Sequence, residues 1–322
     1  CIKNQKNFYK CLVKIANPHI NFGAKLPNIL TAVAGEGAFY SNGISLVKLL
    51  DLHFPNSLLS EFSGPRFGIH GFRNLLSVHD RPLFFGVVKP NIGLLPRDFS
   101  NLAYEAWMGG LDVAKDDEML ANVSYSPLLE RVKCCVELRK KAEDETGNKK
   151  MFLANITDEV ENLISLHDRV VAFGVDAVMI NVWTLGLSAV RYLVKHATVP
   201  VVAHFDFIAP FTRLPAFGLS TKLVTKLQRL SGCDAIIMPG FGERMMTSDD
   251  EVRENVGECL KDWNNIKKSL PIPGGSDSAE TLRPTFEKLG TIDFACIPGR
   301  GVFGHKEGPR AGAKSLHDAW YK

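Results

Sequence analysis

The chain has 322 residues, of which 45% are hydrophobic and 23% are charged, which is typical of a globular protein with one large domain, alone or beside a smaller one. The formal net charge of +3 gives no electrostatic reason to expect nucleic acid or a membrane surface as a partner. No apolar run approaches the roughly 20 residues that cross a bilayer, and no stretch near the N-terminus has the pattern of a signal peptide. The seven cysteines are scattered without a CxxC pair, which indicates a reducing compartment, so we expect a cytoplasmic protein.

Residues 1–62 contain strand-like and helix-like pieces without a regular repeat. Asn17–Phe22, a helix near Lys25–Val33 and the run Ile44–Phe54 predict part of a small α+β domain. The Gly- and Pro-containing stretch Ser63–Gly68 is typical of a linker. We therefore expect a partial N-terminal domain over 1–62 and a larger catalytic domain over 63–322.

From about residue 83 onward, short apolar runs alternate with amphipathic, helix-like stretches. The runs are Leu83–Lys89, Leu111–Asp116, Lys150–Ile156, Asp176–Val182, Val199–Phe205, Asp234–Pro239, Leu270–Gly275 and Ile292–Pro298. Their spacing of roughly 25–40 residues is typical of a parallel barrel. An open doubly wound sheet would also alternate strands with helices, but the count of eight favours an α/β fold of the (β/α)8 TIM-barrel type.

Capping signals place the ends of several helices. The stretch after the first run predicts a helix that Asp98 caps and that Gly109–Gly110 end. Ser248 with Glu251 predicts a capping box that opens a helix reaching Leu260.

Active sites of such barrels lie at the carboxyl ends of the strands, where the second run ends in Lys115-Asp116-Asp117-Glu118. A solvated surface cluster is the simpler explanation for most charge runs, but this one follows a buried strand directly. Two carboxylates at that place favour a hard cation such as Mg²⁺. An ammonium group would repel the ion, so Lys115 can contribute only as a neutral amine or as a carbamate formed with CO₂.

The first run ends in Val88-Lys89-Pro90-Asn91. A nearby divalent ion and burial both favour the neutral form of a lysine, which makes Lys89 a candidate general base. A rim lysine that extends its ammonium group into solvent explains the position equally well.

The seventh and eighth runs end in glycines, Gly274 and Gly275 in one case and Gly299 and Gly301 in the other. The loops after these two strands are the usual phosphate site of a barrel, because glycine lets backbone N–H groups approach an anion closely. Double glycines are common in turns, so each pair alone is weak, and both together indicate a phosphate site.

The remaining run ends carry polar residues, namely Asn155, Asn181, His204 with Asp206, and Arg244. Each of them alone is explained more simply as a structural residue of the rim. Together they predict a polar mouth that a simple scaffold does not require.

These motifs resemble the RuBisCO large-subunit superfamily. Gly109–Glu118 is similar to its metal-site strand, Val87–Gly93 to its first-strand motif, and Gly301–Ser315 to its eighth-strand signature. The resemblance implies that Lys115 is carbamylated by CO₂ and binds Mg²⁺ together with Asp117 and Glu118. It also implies that the first-strand lysine handles the substrate proton.

The chain departs from the carboxylases of that superfamily at several positions. Where the carboxylases have a second lysine beside the substrate, this chain has Asn91, and where they have a histidine–arginine pair, it has Asp206 and Phe207. A histidine is replaced by Ile237, and an amide residue by Glu36. The mobile-loop lysine is absent, and Arg244 is its nearest counterpart. Such losses remove CO₂ addition and much of the second phosphate site, and they spare the metal site and one phosphate site. The pattern therefore resembles a RuBisCO-like protein of form IV.

The resemblance implies Mg²⁺-dependent proton abstraction beside a carbonyl of a phosphorylated keto compound of methionine salvage. The two candidate activities are those of a diketo-methylthiopentyl-phosphate enolase and a methylthioribulose-phosphate isomerase. In this hypothesis Lys89 removes the proton, the four glycines hold one phosphate, and Asn155, His204 and Asp206 orient the substrate or return a proton.

Two alternatives remain open, a decarboxylase of a phosphorylated 3-oxo sugar acid and a barrel kept for binding or assembly without turnover. The resemblance also implies a homodimer or larger homo-oligomer, since family sites are completed by the small domain of a partner subunit. The chain begins at Cys1, and we expect the first half of its own small domain to be missing.

Overall fold

A computed structural model describes residues 9–322, so Cys1 and the rest of 1–8 of the expected N-terminal domain lie outside the described residues. Each of the eight apolar runs contains a strand of one parallel sheet. These strands are β2 (Leu83–Val87), β3 (Val113–Lys115), β4 (Met151–Asn155), β5 (Ala177–Asn181), β6 (Val201–His204), β8 (Ala235–Pro239), β9 (Leu270–Gly274) and β10 (Ala295–Cys296). Two further strands of two residues, β1 (Lys48–Leu49) and β7 (Gly218–Leu219), pair with each other in parallel.

The large sheet closes on itself almost completely. Its order is β10-β2-β3-β4-β5-β6-β8-β9, so the last strand returns to pair with the first. Only β9 and β10 lack backbone ladder bonds between neighbours, as far as residues 9–322 show. The predicted (β/α)8 barrel is therefore confirmed, with one seam between β9 and β10.

Helices surround the barrel and join its strands. They are α1 (Leu26–Ala34), α2 (Glu36–Phe39), α3 (Asn56–Leu59), α4 (Gly68–Leu76), α5 (Pro96–Met108), α6 (Leu128–Thr146), α7 (Val160–Ala172), α8 (Val182–Leu185), α9 (Leu187–His196), α10 (Ala209–Thr212), α11 (Thr221–Leu230), α12 (Asp249–Leu260), α13 (Ala279–Leu289), α14 (Arg300–Phe303) and α15 (Pro309–Tyr321). None of the described helices is long and apolar enough to cross a membrane.

The apolar side chains form two buried layers because successive residues of a strand point to opposite faces. In β2, Phe84 packs in the layer between strands and helices, whereas Phe85 packs inside the barrel with residues such as Val113 and Met179. Strands that are buried on both faces are continuous apolar runs, which is why the runs could be recognised in the sequence.

The capping predictions were right for one helix and wrong for another. Ser248 caps α12, and its Oγ accepts a hydrogen bond from the Glu251 N–H at 3.2 Å. The Glu251 carboxylate accepts instead from the Thr221 hydroxyl at 2.6 Å, so the box is only half formed. The helix α5 begins at Pro96 after Leu95, so Asp98 lies in its first turn and is not its cap. Proline at the first helical position has a backbone angle already suited to a helix, which moves the start forward.

The segment before residue 63 lies against the barrel. Asn17–Phe22 contains a 3-10 turn at His19–Asn21, and the predicted helix near Lys25–Val33 is α1. The run Ile44–Phe54 contains β1 and also Asp51, whose carboxylate pairs with the buried Lys226 of α11. This segment is therefore tied to the barrel by charge as well as by the β1–β7 pairing.

A repeated Gly-x-Asp sequence pins neighbouring strands together at their amino ends. Asp112, Asp176 and Asp234 stand just before β3, β5 and β8. Their carboxylates accept the N–H groups of Phe84 at 2.7 Å, Phe152 at 3.1 Å and Val201 at 3.0 Å, each in the preceding barrel strand.

The corresponding residue before β10 is Asp293, and it does not make this bond. Its carboxylate accepts from the Arg73 guanidinium at 3.0 Å. Three strand pairs are therefore pinned in the same way, while the β9–β10 seam is not.

Candidate active site

The strand register brings the ends of five consecutive barrel strands to one mouth. Lys115 at the end of β3 lies beside Val87 of β2 and Leu153 of β4, and Asn181 at the end of β5 lies beside His204 of β6. Most of the polar residues predicted from run ends therefore lie at one edge of the barrel.

The first-strand lysine contacts the metal-site loop directly. Lys89 follows β2, and its Nζ lies 2.6 Å from Oδ2 of Asp117, which is fully buried. The Lys89 side chain keeps 24% of its surface exposed, so it is reachable from the mouth. An ammonium beside a buried carboxylate forms a charge-assisted hydrogen bond, which fixes the position of the lysine.

The second lysine lies deeper, and it belongs to a connected chain of charged groups. The Lys115 side chain is fully buried, and its Nζ donates to Glu118 Oε2 at 3.2 Å. The same Glu118 oxygen lies 3.3 Å from His204 Nε2. His204 Nδ1 accepts the Asp206 N–H at 3.3 Å, so the ring proton is on Nε2 and points to Glu118.

The pKa values of these connected side chains are shifted in opposite directions. Burial acts to raise the pKa of Glu118, but the positive charge of Lys115 and the nearby His204 outweigh it and lower the pKa to about 2. Burial and Lys115 lower the pKa of His204 to about 3, so its ring is neutral near pH 7. Burial and the charge of Glu118 raise the pKa of Asp206 to about 6. The mouth therefore holds an ionised carboxylate, a neutral imidazole and a carboxyl group that binds a proton readily.

The three consecutive acids after Lys115 do not have the same role. Asp116 is fully buried and pairs with the buried Arg131, whose Nε lies 2.7 Å from Asp116 Oδ1. Arg131 also donates to the Ser126 and Ala121 carbonyls at 2.5 and 2.8 Å, which holds the loop that follows Glu118. Asp116 is thus a structural anchor, and Asp117 and Glu118 are the two acids that contact the lysines.

Two asparagines support this loop from the neighbouring strands. Asn155 at the end of β4 is fully buried, and its Nδ2 donates to the carbonyls of Asp117 and Glu118. Asn181 at the end of β5 donates to the Glu118 carbonyl. The hydroxyl of Thr157, which the sequence analysis missed, links the two asparagines. The Asn-x-Thr pattern at the end of a strand was the available signal.

Contacts within the protein account for much of the glycine pattern. A Cβ on Gly275 would lie 2.5 Å from the Phe241 carbonyl oxygen, and one on Gly301 would lie 2.4 Å from the Asp277 carbonyl oxygen. A Cβ on Gly299 would lie 3.0 Å from Lys89 Cε, and one on Gly274 would lie 3.1 Å from a methyl group of Ile297. Backbone packing alone thus requires glycine at 275 and 301, and Gly299 lies directly beside the first-strand lysine.

The positions that differ from the carboxylase pattern lie in separate places. Phe207 is 54% exposed with a left-handed backbone (φ 71°), and it lines a cavity of about 180 Å³ together with Asp206 and Arg244. Ile237 is buried inside the barrel, and Asn91 is half-buried in the loop after β2. Glu36 is exposed at the start of α2, and no hydrogen bond or ion pair joins it to the mouth within residues 9–322.

A second histidine–carboxylate group lies at the opposite end of the barrel. Asp168 accepts from His167 Nδ1 at 2.8 Å and from His196 Nε2 at 2.6 Å, near the ends of α7 and α9. The Thr198 N–H donates to His167 Nε2 at 3.2 Å, so the ring proton of this buried histidine is on Nδ1. Both ring nitrogens of His167 are therefore already hydrogen-bonded within the protein. The group links two helices and is not suited to hold an ion.

The donors at the mouth fit a hard divalent cation. Ligand atoms of Glu118, His204 and Asp206 lie within 4.8 Å of one another, and Asp117 follows the same strand. Carboxylate oxygens are the donors that Mg²⁺ prefers. The fit requires that the positive charge of Lys115 be removed, as conversion to a carbamate would do.

Many enzymes are (β/α)8 barrels whose functional side chains lie at the carboxyl ends of the strands. This chain has the same architecture, with charged side chains grouped at those ends. Residues 68–321 match a family model described as the ribulose bisphosphate carboxylase large chain, catalytic domain. The chain therefore belongs to the ribulose bisphosphate carboxylase large-chain family, as its motifs predicted.

Its relatives include both carboxylases and carboxylase-like proteins. A ribulose bisphosphate carboxylase-like protein of Allochromatium vinosum is 60% identical over 310 residues, which cover 96% of this chain and 68% of the relative. The octameric ribulose-1,5-bisphosphate carboxylase/oxygenase of Pyrococcus horikoshii has a TM-score of 0.90 at 33% identity, covering 94% of this chain and 72% of that one. A rubisco-like protein of Alicyclobacillus acidocaldarius, MtnW, has a TM-score of 0.86 at 25% identity, covering 94% and 76%. Within the family, the chain is a RuBisCO-like protein and not a typical carboxylase.

Proposed function

We propose that the protein is a Mg²⁺-dependent enzyme that enolises or isomerises a phosphorylated keto compound by abstracting a proton beside the carbonyl. The observation that carries the proposal is the position of Lys89, whose Nζ lies 2.6 Å from Asp117 Oδ2 at the open end of the barrel. A base at that place faces both the acidic loop and the glycine at position 299. In this proposal the substrate carbon lies between the groups assigned to the cation and to the phosphate.

In this proposal Lys115 (as a carbamate), Asp117 and Glu118 hold the cation. Bound Mg²⁺ would supply Lewis-acid polarisation of the substrate oxygens. The protein's own groups position the substrate and move its proton. Lys89 accepts the proton as a neutral amine, a form that a cation bound by Asp117 would favour over the present ion pair. General bases of this kind contribute about 10²–10⁴-fold to rate.

His204 and Asp206 are assigned to orienting the substrate and returning the proton. His204 is neutral and already donates towards Glu118, so its ring is held in one orientation. Asp206 has a pKa of about 6, and a carboxyl group that is partly protonated near neutral pH suits a proton donor. Asn91 lies in the loop after β2, on the same side as Lys89, which supports a contact with the substrate.

One phosphate is assigned to the loops after β9 and β10, at Gly274, Gly275, Gly299 and Gly301. Their position supports this assignment, because these loops follow the last two barrel strands. Packing already explains two of the glycines, so the position of the loops is a stronger argument than the glycine content.

The substrate class in the proposal is a phosphorylated ketone of methionine salvage. Similarity to the rubisco-like protein MtnW supports this choice over a sugar bisphosphate. The apolar Phe207 and Ile237 at positions where carboxylases bind a second phosphate support it as well. We also propose a homodimer or larger homo-oligomer, since the Pyrococcus horikoshii relative is octameric.

The test is exchange of substrate hydrogen with solvent deuterium in a screen of phosphorylated ketoses with Mg²⁺ and bicarbonate. Wild-type protein should exchange the hydrogen beside the carbonyl, and Lys89→Met should lose roughly 10²–10⁴-fold of that rate while it still binds Mg²⁺. The matched control is Lys140→Met, since Lys140 is an exposed lysine in the second half of α6, which leads away from the mouth to the amino end of β4.

Two outcomes would change the assignment. Equal exchange in Lys89→Met and wild type would remove the base role. Metal-dependent release of CO₂ from a 3-oxo acid, without exchange at the α-carbon, would establish the decarboxylase in its place.

A further inference from the structure

Asparagine side chains from two adjacent strands converge on one short stretch of backbone. Asn155 Nδ2 donates to the Asp117 carbonyl at 3.2 Å and to the Glu118 carbonyl at 3.0 Å. Asn181 Nδ2 donates to the Glu118 carbonyl at 3.2 Å. The residues whose backbone is held in this way are the two whose carboxylates contact Lys89 and Lys115. The orientation of those carboxylates therefore depends on the two amide groups.

Thr157 fixes which way the first amide points. Its hydroxyl donates to Asn155 Oδ1 at 2.7 Å, and its N–H donates to the same oxygen at 3.0 Å. The hydroxyl oxygen in turn accepts the Asn181 N–H at 3.0 Å. With two donors on its oxygen, the Asn155 amide must direct its nitrogen towards the loop carbonyls. Thr157 thus couples both asparagines to the loop.

The burial of these groups makes their bonds hard to replace. Asn155 is fully buried, so water does not compete for its amide. The Asn181 Oδ1 atom is buried and accepts no hydrogen bond from residues 9–322, so this side chain is held by its nitrogen. Removing the Asn181 amide therefore takes away one of the two hydrogen bonds to the Glu118 carbonyl and leaves the Asn155 bonds in place. It is the milder of the two possible perturbations.

We propose that Asn155 and Asn181 are positioning residues that set the affinity of the mouth for a divalent cation, by holding the backbone carbonyls of Asp117 and Glu118 in one orientation. The inference rests on the proposed function, which assigns the cation to these carboxylates. It gives Asn155 a role behind the metal site in place of the substrate contact predicted from sequence. Groups that support metal ligands in this way typically change metal affinity by about 10–100-fold when they are replaced.

The experiment compares variants that differ in single hydrogen bonds. Asn181→Ala removes one bond to the loop, and Thr157→Val removes the hydroxyl while keeping the shape of the side chain. Thr157→Ser keeps the hydroxyl and serves as the conservative rescue. Asn162→Ala is the matched control, because the Asn162 amide donates only to Asp158 on the exposed face of α7.

Three readouts separate positioning from general loss of structure. Calorimetric titration with Mg²⁺ in bicarbonate gives affinity, the electron paramagnetic resonance spectrum of bound Mn²⁺ reports its ligand environment, and thermal unfolding in chelator reports the fold. We expect Asn181→Ala and Thr157→Val to bind Mg²⁺ about 10–100-fold more weakly with an altered Mn²⁺ spectrum. Thr157→Ser and Asn162→Ala should match wild type.

The remaining outcomes count against the inference. Wild-type affinity and an unchanged Mn²⁺ spectrum in Asn181→Ala and Thr157→Val would overturn it, while leaving the proposed function intact. Equal losses in Thr157→Val and Thr157→Ser would show that the hydroxyl is not used, and would overturn it too. Failure of the wild-type protein to bind Mg²⁺ would refute the proposed function first, and the inference with it.

Discussion

Replacement of Lys115 by methionine tests the metal site, because the affinity for Mg²⁺ should rise if Lys115 is an ammonium and fall if it is a carbamate. The Lys115 ammonium lies 3.2 Å from Glu118 Oε2, so an Mg²⁺ ion held by that oxygen at about 2.1 Å lies within about 5.3 Å of the nitrogen. At an effective dielectric constant of ~20, a single and a double positive charge at that separation repel by roughly 6 kcal/mol. A lysine that stays an ammonium therefore opposes the cation strongly. Its removal should then strengthen binding.

A carbamate on Lys115 predicts the opposite result. The group would be anionic and would supply oxygen to the ion, so Lys115→Met should weaken Mg²⁺ binding. Loss of a supporting group typically costs about 10–100-fold in affinity, and loss of a ligand should cost more than that. Lys115→Glu, which returns a carboxylate near the same place, should restore part of the binding.

The assay is calorimetric titration with Mg²⁺, with and without bicarbonate, on wild type, Lys115→Met and Lys115→Glu. Lys150→Met is the matched control, since Lys150 is also buried but donates to the Leu111 carbonyl at the amino end of the barrel. Binding in wild type should need bicarbonate. If Lys115→Met binds Mg²⁺ as tightly as wild type or more tightly, the carbamate assignment is wrong.

The remaining predictions concern chemistry, pH and stability. The protein should incorporate no labelled CO₂ from ribulose bisphosphate into phosphoglycerate above a no-enzyme control, because the resemblance implies that Asn91, Phe207 and Ile237 replace residues that carboxylation needs. Burial raises the pKa of Asp206 from 3.8 to about 6, so in chelator its contribution to the free energy of unfolding is present below about pH 4 and lost as pH rises through about 6. Denaturant unfolding across that window should show this loss in wild type and not in Asp206→Asn. Lys226→Met should lower the free energy of unfolding by roughly 1–3 kcal/mol, since it removes the buried ammonium beside Asp51 and Glu258 and leaves Asp51 with the more exposed Lys222. Lys222 is more exposed, so Lys222→Met should lower the free energy of unfolding by only about 0–1 kcal/mol in the same measurement. Equal losses in the two variants would contradict the argument from burial.

The positions of the barrel strands could be predicted from sequence because each strand is buried on both faces. A run such as Leu83–Lys89 is long and apolar for that reason, and it contains β2. The strand bounds could not be predicted as well. The run Ile292–Pro298 forms only two residues of strand at Ala295–Cys296, because ladder pairing exists only on its β2 side.

The sequence predicts which residues of the candidate site stand at the strand ends, because position along the strand decides that. It does not predict which partners these residues contact, because packing between strands decides that. Lys89 follows β2, and Lys115 and His204 are the last residues of β3 and β6, so their presence at the mouth could be expected from the fold alone. That Asp116 turns to Arg131 while Asp117 turns to Lys89 depends on how the loop packs between neighbouring strands. No spacing in the sequence records that choice.

The seam between β9 and β10 is the one joint of the described barrel at which neighbouring strands can move apart without breaking ladder bonds. Between all other neighbouring strands of the described barrel, ladder bonds would have to break before the strands could separate, and in three of these pairs the aspartate bond would have to break as well. Between β9 and β10 the strands are held by apolar packing inside the barrel and by a hydrogen bond from the Ile297 N–H to the Asp277 carboxylate at 2.8 Å. Gly274 and Gly299 stand on opposite sides of this joint. A small widening there would therefore change the distance between the two glycine loops, to which the proposed function assigns the phosphate, and would break no ladder bond elsewhere in the described barrel.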